Sequence, residues 1–328
     1  MTNREGAPAV AHAVEQHETG AAPPPSRGRG RGPVPVRPRR RVRHGRAVVG
    51  FLAPFVVLFA AFYLVPIGYA VVESLYTVTR VGGTFGRATE VFGGFVQYAA
   101  VFSNGPFWAS IGRVLVFFVI SIPLQLGLAL VFALLLDSPV LRGARFFRLA
   151  FFVPYAVPGV IAAIMWGFLY APTLSPFTLL TTSFDLLGPD LVIFSIANIV
   201  NWIFTGYNML IIYAALQAIP PELTEAARMD GAGQWRIAWS VKIPMVAPAL
   251  GLTGVFSIIG TLQLFNEPLV MRSVSSAVGS DYTPNMVVHA TANIPNYNLA
   301  AAFSVVLALV TCVLSFTFLK IAGRRTLS

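Results

Sequence analysis

The sequence predicts an all-α polytopic membrane protein with six transmembrane helices. Composition, long uncharged runs and the placement of cations carry that prediction. Of 328 residues, 56% are hydrophobic and only 11% charged, with a mean hydropathy of +0.71. A water-soluble domain cannot hide so much apolar surface, so lipid is the solvent for most of the chain. The apolar runs are long enough to cross a hydrocarbon core as helices, which satisfy their own backbone groups.

Residues 1–45 are rich in Ala, Pro, Gly and Arg and are expected to form a disordered tail. The hydrophobic, membrane-spanning region then runs from 46 to 326. The first span, about 47–72, holds no charge and contains Pro66 near its end. The second, about 110–136, holds Arg113 near its outer end, where a long side chain reaches the interface. The third, about 149–170, carries Pro154 and Pro158, which are expected to kink it where it begins. The fourth, about 191–217, bears Asn198, Asn201, Trp202, Thr205 and Asn208 at helical spacing, within an arc of about 120°. The fifth, about 246–271, repeats the pattern on a smaller scale with Gln263, Asn266 and Glu267 at i, i+3 and i+4. The sixth is about 298–321 and contains the lone Cys312.

Lys and Arg set the orientation. The tail, the loops after spans two and four, and the C-terminus together hold 19 of them, against three in the alternate loops, with Arg113 inside a span. Both termini are therefore expected in the cytoplasm of a bacterial plasma membrane. The basic segment Ser26–Arg46 has no aromatic residue to stack on bases and directly precedes the first span. Topology and attraction to anionic membrane lipid account for it, and no nucleic-acid partner is expected.

The chain offers little chemistry of its own. One cysteine excludes an internal disulfide and a multi-thiolate metal site, and a single histidine outside the tail, His289, is too few for a His-based centre. Neither lysine sits in a phosphate-cradling loop, and no GxSxG elbow or HExxH helix is present. No catalytic or metal site is expected, and a convergent acid–base set for a membrane enzyme cannot be assembled.

The loop 218–245 is different in kind. Pro220 and Pro221 are suited to start a short helix, Glu222 and Glu225 fall early in it, and Gly231 is suited to stop it. Ala226, Ala227, Leu223 and Met229 give it a small apolar side. A second short segment precedes Pro244. This is a helix–hinge–helix knuckle suited to a partner's groove.

Glu225-Ala226-Ala227, then Gly231, then Val241-Lys242-Ile243-Pro244 resembles the EAA loop of ABC importer permeases. The aliphatic places differ slightly from the family's Ile-x-Leu-Pro. The segments Arg142–Tyr170 and Phe256–Met271 are similar to the carbohydrate-uptake branch, and the resemblance covers about 47–326. It implies a type I (MetI-like) importer permease bundle that forms half of a pathway for a sugar or related solute. It further implies that Glu225, Ala226, Ala227, Asp230 and Gly231 form the contact core for an ATPase, with Glu225 meeting a basic group. The partners it implies are a second permease subunit, a cytoplasmic ABC ATPase dimer that uses ATP and Mg, and an extracytoplasmic solute-binding protein received by loops near 73–109 and 272–297. No cofactor is implied for this chain itself.

Polar groups inside spans are costly and face a bundle interior or a wet cavity. The stripes of spans four and five supply amides, a carboxylate and an aromatic plate of the kind that sugars need. Interhelical hydrogen bonding is the alternative use of the same residues. A self-sufficient carrier driven by an ion gradient through Glu267 is the alternative function, and the knuckle argues against it.

Overall fold

The computed structural model describes residues 45–81, 87–294 and 296–326, so the tail lies outside it except for Gly45. The chain divides into two units, one ending at Phe55 and one starting at Val56. Helix α1 (Gly45–Phe59) begins in the first unit; the description that follows concerns the second.

A π-helical turn, Ala60–Leu64, leads into α2 (Val65–Glu73). A proline ring collides with the carbonyl four residues before it, and the wider π turn just upstream of Pro66 accommodates that without breaking the helix. The same device recurs at Ala238–Lys242, directly before Ile243 and Pro244. No residue of α2 is buried.

A two-stranded antiparallel hairpin follows, β1 (Tyr76–Val81) and β2 (Arg87–Phe92), with Tyr76 opposite Phe92 and Thr79 opposite Thr89. It adds a small β element to the expected helical architecture. Helix α3 (Val96–Ser103) leads to α4 (Gly105–Leu136). α4 starts five residues before the expected 110, because Asn104 caps it by accepting a hydrogen bond from the Phe107 N–H (2.9 Å) and Pro106 fits its first turn.

The third span departs most from expectation. Instead of a kink at its start, α5 (Ala144–Ala156) and α6 (Gly159–Tyr170) meet at 96° across a break in mid-span. Pro158 has no N–H to continue the ladder, and Val157, preceding it, is held extended at ψ 124. Among the described residues, five further helices or helix runs are long and apolar enough to span a bilayer, and the bent pair, taken as one span, makes six.

After α7 (Thr178–Ser183) comes α8 (Val192–Gln217), the most buried span. It packs against α4, α5 and α6. Ala129 and Ala133 of α4 meet Met209 and Ile212 of α8 in one apolar cluster, and Phe132 stacks on Phe151 of α5 at 4.3 Å between ring centroids. At Gly206 the backbones of α5 and α8 nearly touch: a Cβ there would overlap the carbonyl oxygen of Phe151. Small residues allow such approach where no water exists to drive helices together.

The knuckle contains α9 (Pro221–Met229) and α10 (Gln234–Ile237). The fifth span is α11 (Ile243–Leu262), followed after a break by α12 (Asn266–Met271). Helix α13 (Pro284–Asn293) precedes the last span, α14 (Tyr297–Thr326). Asn298 of α14 donates to Glu73 Oε1 at 2.7 Å, tying the last span to the end of α2. Arg113 reaches out as expected, but into protein: its Nη1 donates to the carbonyls of Asp281 (3.2 Å) and Tyr282 (2.7 Å).

Gly206→Val is expected to force α5 off α8 and to lower the thermal midpoint of the detergent-solubilised protein sharply, since overpacking of this kind costs about 1–3 kcal/mol or more. An unchanged midpoint would mean that the two helices do not touch there.

Candidate functional site

The fifth span is broken where its polar residues lie. The α-helix ends at Leu262, Gln263 caps it at φ −94, and Phe265 adopts φ −146 before α12 restarts at Asn266. Gln263, Asn266 and Glu267 therefore do not form the expected stripe on one continuous helix. The break instead turns all three onto one cavity of about 270 Å³. Irregular backbone at such depth is tolerated where it lines a cavity.

Asn208 of α8 reaches the same cavity. Its Nδ2 donates to Ser257 Oγ (3.3 Å), and Ser257 Oγ donates to Gln125 Oε1 (2.9 Å). One chain of hydrogen bonds thus links α8, α11 and α4 along the cavity wall. Phe204, Tyr207, Phe256 and Phe265 add aromatic faces. Tyr207 is set by stacking on Tyr155, 4.8 Å between centroids. Gln125, Ser257 and Tyr207 were missing from the sequence reading. A lone glutamine in the apolar run of span two was the available signal.

The rest of the α8 stripe lies elsewhere. Asn198, Asn201, Trp202 and Thr205 line a second crevice of about 460 Å³ between α4, α5 and α8. The stripe is one arc on a helical wheel, but α8 is enclosed on several sides, so neighbouring helices divide the arc. Asn198 Nδ2 donates to the Tyr170 hydroxyl (2.8 Å), and Asn201 Oδ1 accepts from Ser121 Oγ (2.8 Å). Both side chains thus bond across helices. Trp202 packs edge-on to Trp166 at 6.0 Å. Asn201 Nδ2 and Thr205 Oγ1 are buried with no hydrogen-bond partner among the described residues.

Glu267 is 9% exposed and lines the first cavity. Its carboxylate rests against Gly159, where a Cβ would stand 2.6 Å from Oε1. Gly159 is the first residue of α6, whose first N–H groups have no intrahelical acceptor and favour negative charge. The breaks in the third and fifth spans therefore meet.

On the knuckle, α9 has no buried residue, and Glu225, Ala226 and Asp230 are exposed while Ala227 is half-buried. Gly231 stands at φ +78. Its N–H donates to the Arg228 carbonyl (2.9 Å) and the Ala232 N–H to that of Ala227 (3.0 Å). This pair of bonds is a Schellman stop, and its left-handed residue is the expected glycine. Met229 and Trp235 remain 88% and 76% exposed, which makes an apolar patch on a polar mount.

Residues 91–328 match the family described as binding-protein-dependent transport system inner membrane component. The chain belongs to that family. This permease is 30% identical over 277 residues to the lactose transport system permease protein LacF of Rhizobium radiobacter, covering 81% of the chain and 90% of the relative. It is 31% identical to the sn-glycerol-3-phosphate transport system permease protein UgpA of Rhizobium meliloti, covering 81% and 92%. In fold it is similar to a chain of a bacterial ABC transporter involved in the import of the acidic polysaccharide alginate, with a TM-score of 0.72 at 16% identity and coverage of 86% and 97%. The permease is a membrane-embedded transport subunit with a type I importer fold, not an enzyme.

Gly159→Ala is expected to cost the permease little stability, because only the flexible end of the Glu267 side chain has to move aside. The thermal midpoint checks this; a large drop would show that Gly159 packs against something less yielding than that carboxylate.

Proposed function

We propose that this permease forms half of the pathway for a neutral sugar in an ATP-driven importer, and that α9 couples it to a separate ATPase. The carrying observation is the cavity at the break of the fifth span. It combines the amides of Gln125, Asn208, Gln263 and Asn266 with aromatic walls, which suits hydroxyls on one side and the C–H face of a sugar ring on the other. Its lining includes the Glu267 carboxylate and no Lys or Arg. A phosphate or uronate group would find no cation in this lining to pair with, so this half of the pathway favours a neutral glycoside such as lactose over sn-glycerol 3-phosphate. The names of the relatives supply both kinds of solute as candidates.

In this reading both termini and the knuckle face the cytoplasm of a bacterial cell. Glu225, Ala226, Ala227, Asp230 and Gly231 meet an ABC ATPase dimer that consumes ATP and Mg. A second permease subunit completes the pathway, and an extracytoplasmic binding protein delivers the solute to the outer loops. A solved relative of the fold is in complex with an alginate pentasaccharide-bound periplasmic protein, which supports that partner. The exposed apolar patch and built helix stop of the knuckle support docking over an ion-coupled carrier, which has no use for either.

With the complete transporter in proteoliposomes, uptake of radiolabelled lactose is expected to exceed that of sn-glycerol 3-phosphate. Asn208→Leu or Gln125→Leu is expected to lower lactose uptake about five- to tenfold, the loss of roughly one hydrogen bond. Preference for the phosphate, or indifference to both substitutions, would refute the neutral-sugar assignment.

Gly231→Pro should abolish uptake while leaving membrane insertion intact, because proline holds φ near −65° and lacks the donated N–H. ATP-coupled uptake at the native rate in that variant would remove α9 from the coupling path.

A further inference from the structure

One cross-helix charged cluster lies at the base of the knuckle. The Lys242 ammonium, on the last residue of the second π turn, meets Asp137 Oδ2 at 2.5 Å. Gln217 Nε2 donates to the other oxygen, Asp137 Oδ1, at 2.6 Å. Asp137 caps the end of α4, and Gln217 is the last residue of α8. The Lys242 and Asp137 side chains are only 14% and 13% exposed, so solvent screens them less than a surface pair.

Two features set this cluster apart from generic helix stabilisation. A carboxylate at a helix C-terminus opposes the helix dipole, so Asp137 is poorly placed on α4 unless a cation answers it. The cation is also unusual, since Lys242 is one of two lysines in a chain with 23 basic residues. The topology shows what the arrangement does. The knuckle leaves the bundle just after Gln217 and returns at Lys242, so its two feet rest on the two oxygens of one carboxylate of a third helix.

We infer that Asp137 is the pivot of the knuckle, with Lys242 and Gln217 as positioning residues. They deliver any displacement of α9 to spans two, four and five as one movement. Without the clasp, the returning limb keeps only the packing of buried Ile237 and its helical continuity with α11, and motion of α9 is no longer tied to the ends of α4 and α8. This inference rests on the coupling role proposed above and specifies how that role reaches the spans.

The test uses the assembled transporter in liposomes, in a Cys312→Ser background. Spin labels are placed at Val140→Cys, beside Asp137, and at Arg236→Cys, on the returning limb; both native side chains are exposed. With the native clasp, one narrow label-to-label distance is expected, the same without nucleotide and after trapping with ATP and vanadate. Lys242→Met is expected to broaden it in both states and to shift it on trapping. Lys242→Arg, and the reversal Asp137→Lys with Lys242→Asp, are expected to restore the narrow distance. A narrow, unshifted distance in Lys242→Met overturns the pivot. If Lys242→Met fails to reach the membrane, Lys242→Gln, which removes the charge and keeps much of the length, carries the same comparison. Crosslinking from Glu225→Cys to the ATPase tests docking separately: its absence refutes the coupling role, while the nucleotide-free distances still decide whether the clasp holds.

Discussion

A helix that stops inside a bilayer leaves peptide groups that water cannot reach, and this constraint organises the molecule. Among the described residues there are two such stops, at Val157–Pro158 and at Gln263–Phe265. They lie together, with the Glu267 carboxylate seated on the glycine that opens α6. The two breaks face each other: the Glu267 carboxylate, in the first turn of α12, lies beside the N-terminus of α6, where negative charge is favoured. The cavity follows directly, because the end of α11 withdraws one wall and α12 turns its polar residues into the space.

The central helix then decides how polar groups are used. α8 is enclosed by α4, α5, α6 and α11, so its side chains are shared among several interfaces. Asn208 joins the cavity network through Ser257 and Gln125, whereas Asn198 and Asn201 bond to Tyr170 and Ser121 on other sides. A buried amide is costly wherever it lies, and its neighbours determine whether it becomes a wall of the pathway or a tie between helices.

The knuckle obeys different rules because it stands outside the bundle. Its helix is specified locally, by prolines at one end and a left-handed glycine at the other, and it buries none of its residues. Local specification keeps its shape constant while leaving its surface free. The base, where Lys242 and Gln217 converge on Asp137, is the place where that local unit becomes part of the tertiary structure.

Much was determined by the sequence alone. Hydropathy marks the six spans because a helix in lipid must be apolar over its whole length, and residues 220–231 encode their own start and stop through backbone chemistry that acts within a few residues. The hairpin was not read, because only Tyr76–Thr79 alternates apolar with polar and Arg87–Phe92 does not. The early start of α4 escaped because Gly105 and Pro106 read as loop until Asn104 is seen to cap them. Only the tertiary structure decided the angle of the third span, the break of the fifth, the meeting of Gly159 with Glu267 and the division of the α8 stripe. Each depends on a contact between residues far apart in sequence, and helical periodicity carries information about one helix at a time.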